Sequence, residues 1–315
     1  SWILYDWANS AYSMTITSTI LPIYFKMVAE QGGMKSSTST ALWGYTISIA
    51  TFIVAMIAPI LGNIADYKGN KKRLFNLFFI LGLVSTIFLI FVPEDAPVFL
   101  LIVYTLSTIG FCGANVFYDA FLVDVTTEDR MDYVSSMGYG MGYIGSTIPF
   151  IICIIVVLLS QNGIIQISVP LACKITFLIT ALWWGGFTIP LLKNVNQKYY
   201  VKKQSQIIKN SFKDLLNTLR KIKKDKAILL FLSAYFFYID GVHTIIGMAT
   251  SYGTDLGISM TALLIILLLT QFVAFPFTII YGKLSEKYGG KKLILVGIVT
   301  YALIFCYGYF IKTAV

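Results

Sequence analysis

Apolar residues occur along this chain in long blocks that are separated by short polar connections. The blocks are about 18 to 25 residues long, the length that an α-helix needs to cross a hydrocarbon layer roughly 30 Å thick. They do not alternate with a period of two, the pattern of strands in a membrane barrel. The pattern therefore predicts an all-α polytopic membrane protein. Nine helices are predicted, at residues 2–28, 41–64, 74–92, 98–122, 134–159, 171–192, 227–251, 258–281 and 293–311.

The composition agrees with this pattern and excludes other classes of protein. Hydrophobic residues make up 57% of the 315 residues and charged residues 12%, with a mean hydropathy of +0.77. A soluble domain carries about 25% charged residues, so this chain could not cover the surface of a soluble enzyme. Most of the formal net charge of +9 lies in one connection, 193–226. We attribute this basic stretch to contact with membrane lipids and expect no nucleic-acid partner.

The basic residues predict the orientation of the helices. Twenty of the 24 Lys and Arg residues lie in the connections that follow the second, fourth, sixth and eighth predicted helices. Loops rich in Lys and Arg face the cytoplasm, so we expect a cytoplasmic N-terminus. The 193–226 connection carries apolar residues at helical spacing with basic residues around them. It is predicted to form a basic amphipathic helix on the cytoplasmic leaflet.

Enzymatic and metal-dependent chemistry is not indicated by the sequence. The chain has a single histidine, no nucleophile–base pair and no phosphate-binding loop, so we expect no catalytic residues, no metal site and no cofactor. The cysteines lack the Cys-x-x-Cys spacing of metal sites and lie in or beside apolar blocks, so we interpret them as small buried hydrophobic residues. They are Cys112, Cys153, Cys173 and Cys306.

A polar motif, Gly-x3-acid-x2-Gly-x-Lys-Lys, occurs twice, and its matched positions differ by 220. The glycines permit close helix approach and a tight turn. The basic pair anchors the next helix at the anionic leaflet, and the acid can lock one conformation against a neighbouring helix. We interpret the motif as a gate; the alternative is a plain cytoplasmic turn. The copies comprise Gly62, Asp66, Gly69, Lys71 and Lys72, and Gly282, Glu286, Gly289, Lys291 and Lys292.

A second repeat relates the first and seventh predicted helices. Polar or small residues at i, i+4, i+7 and i+11 lie on one face of a helix, and this pattern recurs after 234 residues. Its members are Asp6, Ser10, Ser13 and Thr17, and Asp240, Thr244, Gly247 and Ser251. Helices one to three and seven to nine are therefore equivalent units. We expect a six-helix bundle at 1–192, a linker at 193–226 and the first three helices of a second bundle at 227–315.

Parallel six-helix halves are the layout of major facilitator transporters, and the repeated motif resembles the signature loop of that superfamily. The string DWANSAY at 6–12, with ILPIYF at 20–25 and FFYIDGVHTI at 236–245, resembles the vacuole effluxer family, autophagy-related protein 22-like. The resemblance covers essentially the whole chain. It implies a twelve-helix permease, and fungal members of the family are linked to amino-acid efflux from the vacuole. Because nine helices are predicted, we expect the sequence to be C-terminally incomplete.

Polar residues inside the predicted helices are candidates for binding a solute or a coupling proton. A charge at bilayer depth is costly, so such residues usually face the protein interior or a water-filled cavity. Alternatives stay open for three of them, because Asp6 can cap a helix near the headgroups, Asp119 can pair near the cytoplasmic end and His243 can serve packing. The candidates are Asp6, Asn9, Ser10, Ser13, Thr17, Asn115, Asp119, Asp240, His243 and Thr244.

The fifth predicted helix contains several glycines at close spacing. Gly140, Gly142 and Gly145 match the dinucleotide fingerprint GxGxxG, but that motif requires a preceding strand, which the apolar pattern does not provide. We interpret Gly138, Gly142 and Gly145 as a face of small residues at which another helix packs closely.

These features predict a secondary transporter that moves a small polar solute by alternating access. Amino acids are implied as the solute by the resemblance alone. We expect a monomeric, multi-pass protein of a bacterial plasma membrane that contacts lipids and its solute, with a coupling proton as an open alternative. A non-transporting sensor or scaffold that retains the transporter fold is the second interpretation.

Overall fold

The computed structural model describes residues 1–201 and 207–308, and most of these residues are helical. Part of the 193–226 connection and the end of the ninth predicted helix therefore lie outside the described residues. Within them, extended backbone pairs only at a single bridge between Tyr67 and Val201. The α-helices are α1 (Ile3–Tyr12), α2 (Ile20–Gln31), α3 (Ser36–Ala65), α4 (Asn70–Phe88), α5 (Pro97–Ala120), α6 (Leu122–Val125), α7 (Met131–Gln161), α8 (Val169–Asn194), α9 (Ile207–Lys224), α10 (Lys226–Asp255), α11 (Met260–Tyr288) and α12 (Gly290–Gly308).

The first membrane span is interrupted at its centre. A π-helical segment, Ser13–Thr19, separates α1 from α2, so the span consists of three consecutive pieces. Eight further stretches of the described chain are long and apolar enough to cross a membrane. The prediction of an all-α polytopic membrane protein is confirmed, because the described residues form long apolar helices. Helix α3 begins five residues before its apolar block and ends one residue after it, and α7 begins three residues before its block and ends two residues after it.

The first six spans pack through aromatic side chains and small residues. Helix α1 packs on α7 and α8, and α4 packs on α5. Tyr12 stacks on Phe111 with ring centroids 4.3 Å apart, and both rings lie against Trp184. The closest approach is between α4 and α5, where a Cβ added to Gly110 would lie 2.1 Å from the backbone nitrogen of Gly82. Glycines at such crossings let the backbones of membrane helices approach closely.

The last three spans contact the first six mainly through α10 and α11. Helix α11 packs along α7, and α10 packs on α3 and on the π-helical segment. Large apolar side chains on the last three spans are exposed, including Phe277 of α11 and Leu303 of α12, each 65% exposed. An apolar face of this kind suits contact with lipid. Helix α9 contacts α3 and α10, and Arg220 and Lys221 near its end are exposed.

Candidate transport site

Two polar pairs join the first span to the fourth. The hydroxyl of Tyr118 donates a hydrogen bond to Asp6 Oδ2 (2.7 Å), and Asn9 Nδ2 donates to Asn115 Oδ1 (3.0 Å). Asp119 follows Tyr118 on α5 and is exposed. The structure therefore brings three predicted candidates, Asp6, Asn9 and Asn115, together where α1 faces α5.

The predicted glycine face of α7 lies against the polar face of α1. A Cβ added to Gly138 would lie 2.3 Å from Asp6 Oδ2, and one added to Gly142 would lie 2.5 Å from Ser10 Oγ. Gly145 is equally close to an indole ring of α1. A larger residue at Gly138 or Gly142 would force these side chains to shift, and a Cβ at Gly145 would lie 2.7 Å from the backbone Cα of Trp7, so a larger residue there would push the two helices apart.

The π-helical segment carries the outer part of the same polar face, with Ser13 and Thr17 half-buried. Single π-helical turns are rare and often occur at functional sites. The carbonyl of Ser18 accepts a hydrogen bond from the hydroxyl of Thr250 on α10. Three hydroxyl groups in the segment are buried and form no hydrogen bond with the described residues; they belong to Thr15, Thr17 and Thr19.

The predicted face of α10 is half covered and half open. Gly247 and Ser251 are buried against the first six spans, and Trp43 Nε1 donates to the carbonyl of Gly247 (3.1 Å). Asp240 lies seven residues before Gly247, and Thr244 lies seven residues before Ser251. Seven residues are about two helical turns, so all four lie on the same face, but the side chains of Asp240 and Thr244 are exposed. His243, also exposed, is displaced from this face by one residue.

An ion pair that was not predicted from the sequence lies at the end of the covered half. Lys26 of α2 is 3% exposed, and its ammonium group donates to the carboxylate of Asp255 at the end of α10. Asp255 also accepts from the hydroxyls of Ser36 and Thr40 at 2.8 Å each. Lys26 further donates to the carbonyl of Ser251 (3.3 Å). Three spans thus converge on one buried ammonium group.

The resolved hydrogen bonds from α10 to the first six spans all come from residues 247–255. We name the membrane face at which α1 begins the inner face and the opposite face the outer face. These contacts lie towards the outer face, where a cavity of about 750 Å³ opens beside Lys26 and is also lined by Glu30, Gln161 and Thr254. The inner half of α10 makes none of these bonds, and Asp240 and Thr244 on that half are exposed.

The first copy of the repeated motif forms the turn between α3 and α4. Gly69 has a φ of +77°, a left-handed conformation that is costly for residues with a Cβ. Lys71 is buried and its ammonium group lies 2.7 Å from the carboxylate of Asp124, which is also buried. Asp66 is exposed. A Cβ added to Gly62 would meet no atom within 4 Å.

The second copy shares the turn but not the buried ion pair. Gly289 has a φ of +84°, which matches the conformation of Gly69. A Cβ added to Gly282 would lie 3.7 Å from Ser136 of α7, an ordinary packing distance. Lys291 and Lys292 are exposed. The side chain of Glu286 lies outside the described residues.

Two features of this region were missed in the sequence. Lys26 lies inside an apolar block, and a buried charge at such a position requires a partner, so the sequence did carry a signal. Asp124 resembled the other acidic residues of its loop, and nothing in its spacing indicated an interaction with Lys71. Among the described residues, no group of three His, Cys, Asp or Glu side chains could hold a metal ion.

Comparison with protein families identifies one match. The family described as vacuole effluxer Atg22 like matches residues 36–130 and 123–314. The chain is 57% identical over 313 residues to the uncharacterized MFS-type transporter YxiO of Bacillus subtilis, an alignment that covers 99% of this chain and 73% of that protein.

Fungal proteins are more distantly similar. Autophagy-related protein 22-2 of Aspergillus clavatus is 31% identical over 191 residues, which covers 56% of this chain and 30% of that protein. Autophagy-related protein 22-1 of Aspergillus niger is 23% identical over 437 aligned positions, covering 98% of this chain and 70% of that protein. No solved structure matches the chain significantly.

Proposed function

The chain belongs to the vacuole effluxer Atg22-like family, and on this premise we propose that it is a secondary transporter that moves a small polar solute by alternating access. It is an integral, multi-pass membrane protein of the transporter class. The alternating mechanism, the solute and the residues that bind it are parts of the proposal.

One observation supports the mechanism above all others. The polar face of α10 is covered at Gly247 and Ser251 and exposed at Asp240 and Thr244. A carrier must close one end of its central cleft while the other end is open. A helix that lines the cleft of such a carrier is covered at the closed end and exposed at the open end, as α10 is. The ion pair between Lys26 and Asp255 would hold the outer end closed.

We assign the inner face to the cytoplasm. The loops rich in Lys and Arg lie at this face, and such loops remain on the cytoplasmic side of a membrane. The structure would then represent the state that is open to the cytoplasm. Exposed basic residues of α9, such as Arg220 and Lys221, would lie at the headgroups of anionic lipids.

The chemistry of the two polar faces supports an amino acid as the solute. Asp6 and Asp240 lie on the two equivalent polar faces, and a carboxylate binds an ammonium group through strong charge-assisted hydrogen bonds. The amide groups of Asn9 and Asn115 can donate to a solute carboxylate or accept from its amine. Asp6 and Asp240 are also the candidate sites of a coupling proton, because ionisable residues inside membrane helices commonly mark ion and proton pathways.

Solute flux into proteoliposomes that contain the protein tests the proposal. We expect saturable uptake of a radiolabelled amino acid. Vesicles that are preloaded with the same unlabelled amino acid should take up the label by counterflow. Asp240→Asn should reduce uptake about tenfold or more, because a hydrogen bond to a charged group is worth about 1.5–3 kcal/mol. Asp129→Asn, an identical change at an exposed loop residue, should leave uptake unchanged.

The alternative function predicts a different result. A sensor or scaffold with this fold would bind a solute, measured by isothermal titration calorimetry, without saturable flux or counterflow. Binding without flux across an amino-acid panel would overturn the proposal. Equal uptake by wild type and Asp240→Asn would remove Asp240 from the binding site.

A further inference from the structure

The first copy of the repeated motif binds the start of the linker. Residues 195–201, here named the linker start, follow α8 and run beside the loop between α3 and α4. The Val201 N–H group donates to the carbonyl of Asp66 (2.8 Å), and the Lys68 N–H group donates to the carbonyl of Val201 (3.3 Å). The linker start therefore leaves the first six spans as a short extended segment that is paired with the motif loop.

Side chains add further contacts between the same two segments. Gln197 Nε2 donates to the carbonyl of Ala65 (2.9 Å), and Gln197 Oε1 accepts from the N–H group of Gly69 (2.9 Å). Lys72 Nζ donates to the carbonyl of Val195 (2.8 Å). The turn glycine and the second lysine of the motif are therefore both engaged by the linker start.

A buried ion pair lies beneath these contacts. The carboxylate of Asp124 accepts from Lys71 Nζ (2.7 Å) through one oxygen and from the N–H groups of Lys198 (2.8 Å) and Tyr199 (3.0 Å) through the other. Lys71 also donates to a backbone carbonyl at the end of α5. A buried ion pair is stable when its partners are fully hydrogen-bonded, and loss of one partner leaves an unpaired buried charge. Asp124 thus joins α4 to the linker start.

These contacts differ from the gate that the motif predicts. The carboxylate that the gate requires, Asp66, is exposed, and its backbone carbonyl is the group that binds the linker start. In the second copy the residue equivalent to Lys71 is Lys291, which is exposed. The two copies of the motif therefore share a turn conformation but differ in what surrounds the first lysine.

We propose that Lys71, Asp124 and Gln197 are positioning residues that fasten the linker start to the first six spans. The linker start would then move with these spans during the transport cycle, and movement of the last three spans would begin beyond Val201. The predicted movement during the cycle rests on the proposed transport function. The attachment of the linker start can be measured without transport.

Hydrogen–deuterium exchange of the purified protein tests the attachment directly. We expect the amides of Lys198, Tyr199 and Val201 to exchange at least tenfold more slowly than in an unstructured peptide of the same sequence. Asp124→Ala should raise their exchange about tenfold or more, since hydrogen bonds to a charged group are among the strongest in proteins. Lys291→Met, at the equivalent position of the second copy, should leave these amides protected.

A second, milder variant tests the attachment even if Asp124→Ala does not fold. Gln197→Ala leaves the buried ion pair intact. It should raise the hydrogen exchange rate of the Gly69 amide, because the N–H group of Gly69 donates to Gln197 Oε1. In proteoliposomes the same variant should lower the turnover rate at an unchanged KM, because the solute contacts are not altered.

The outcomes separate the attachment from the transport function. Rapid exchange of the linker start in the wild type, or protection that survives both Asp124→Ala and Gln197→Ala, would overturn the attachment. Loss of protection with an unchanged turnover rate would overturn the positioning role. A wild type that protects these amides but transports nothing would contradict the proposed function and leave the attachment standing.

Discussion

Lys26 and Asp255 form an ion pair that joins the first span to the seventh, although 229 positions separate them in the sequence. Lys26 is almost fully buried, whereas the side chain of Asp255 is 29% exposed. The pair lies at the end of the two polar faces that the sequence repeat predicts. It therefore links the internal repeat to the closed end of the proposed cleft.

Lys26→Met should loosen this outer closure. Removing one partner of a fully buried ion pair costs about 3–5 kcal/mol, and the cost here should be smaller because water reaches Asp255. We expect Ser251→Cys, introduced as a reporter in a cysteine-free background, to react faster with a membrane-impermeant maleimide added from outside. Lys174→Met, also near the outer face, serves as the control. Equal labelling rates in all three proteins would show that the ion pair does not hold the closure.

Gly142→Ala should impair both stability and transport, because its Cβ would overlap the hydroxyl of Ser10. Overpacking of this kind typically costs about 1–3 kcal/mol. Combining Gly142→Ala with Ser10→Ala removes the overlapping oxygen, so the double variant should have a higher melting temperature than Gly142→Ala alone. Gly186→Ala, where an added Cβ meets no atom within 4 Å, is the matched control. The absence of any recovery in the double variant would argue against this contact.

Gly289→Ala should destabilise the turn between α11 and α12. Its φ of +84° is left-handed, and an L-residue with a Cβ pays about 1–2 kcal/mol in that conformation. Gly297→Ala within α12 requires no such conformation and should be neutral or stabilising, since alanine favours helix. Thermal unfolding in detergent compares the two variants. A melting temperature for Gly289→Ala at or above that of Gly297→Ala would contradict the turn assignment.

Asn9→Ala and Asn115→Ala should not act independently. The two amides hydrogen-bond to each other, so removal of either leaves the other without its partner, and neighbouring residues commonly couple by about 0.5–3 kcal/mol. A double-mutant cycle on KM for uptake measures this coupling. Additive effects of the two substitutions would place the pair outside the functional site.

The spans and the repeat could be predicted because they depend on local properties of the sequence. Long apolar blocks specify membrane helices, and glycine at equivalent turns is required by the left-handed backbone that Gly69 and Gly289 both adopt. The close approach of Gly138 to Asp6 also follows a local rule, since small residues at four-residue spacing favour close helix packing.

The remaining features depend on contacts between distant segments. The π-helical segment Ser13–Thr19 lies just before Pro22, which has no N–H group to donate to the carbonyl of Ser18. The sequence therefore indicates a disturbed helix here, but it does not indicate that this carbonyl accepts from Thr250 of α10. The partners of Lys26 and Lys71 are fixed by how spans pack, and sequence spacing carries no record of that packing. Pairing of the motif loop with Val201 likewise depends on the path of the chain after α8.

Solute-dependent accessibility of a single cysteine tests the central claim most directly. Thr244→Cys in a cysteine-free background places a thiol on the open part of the α10 polar face. If that face lines a cleft that opens to one side at a time, a membrane-impermeant maleimide should label it from the cytoplasmic side only, and saturating solute should slow the labelling. A thiol that stays unreactive from both sides, or reacts at the same rate with and without solute, would contradict the account.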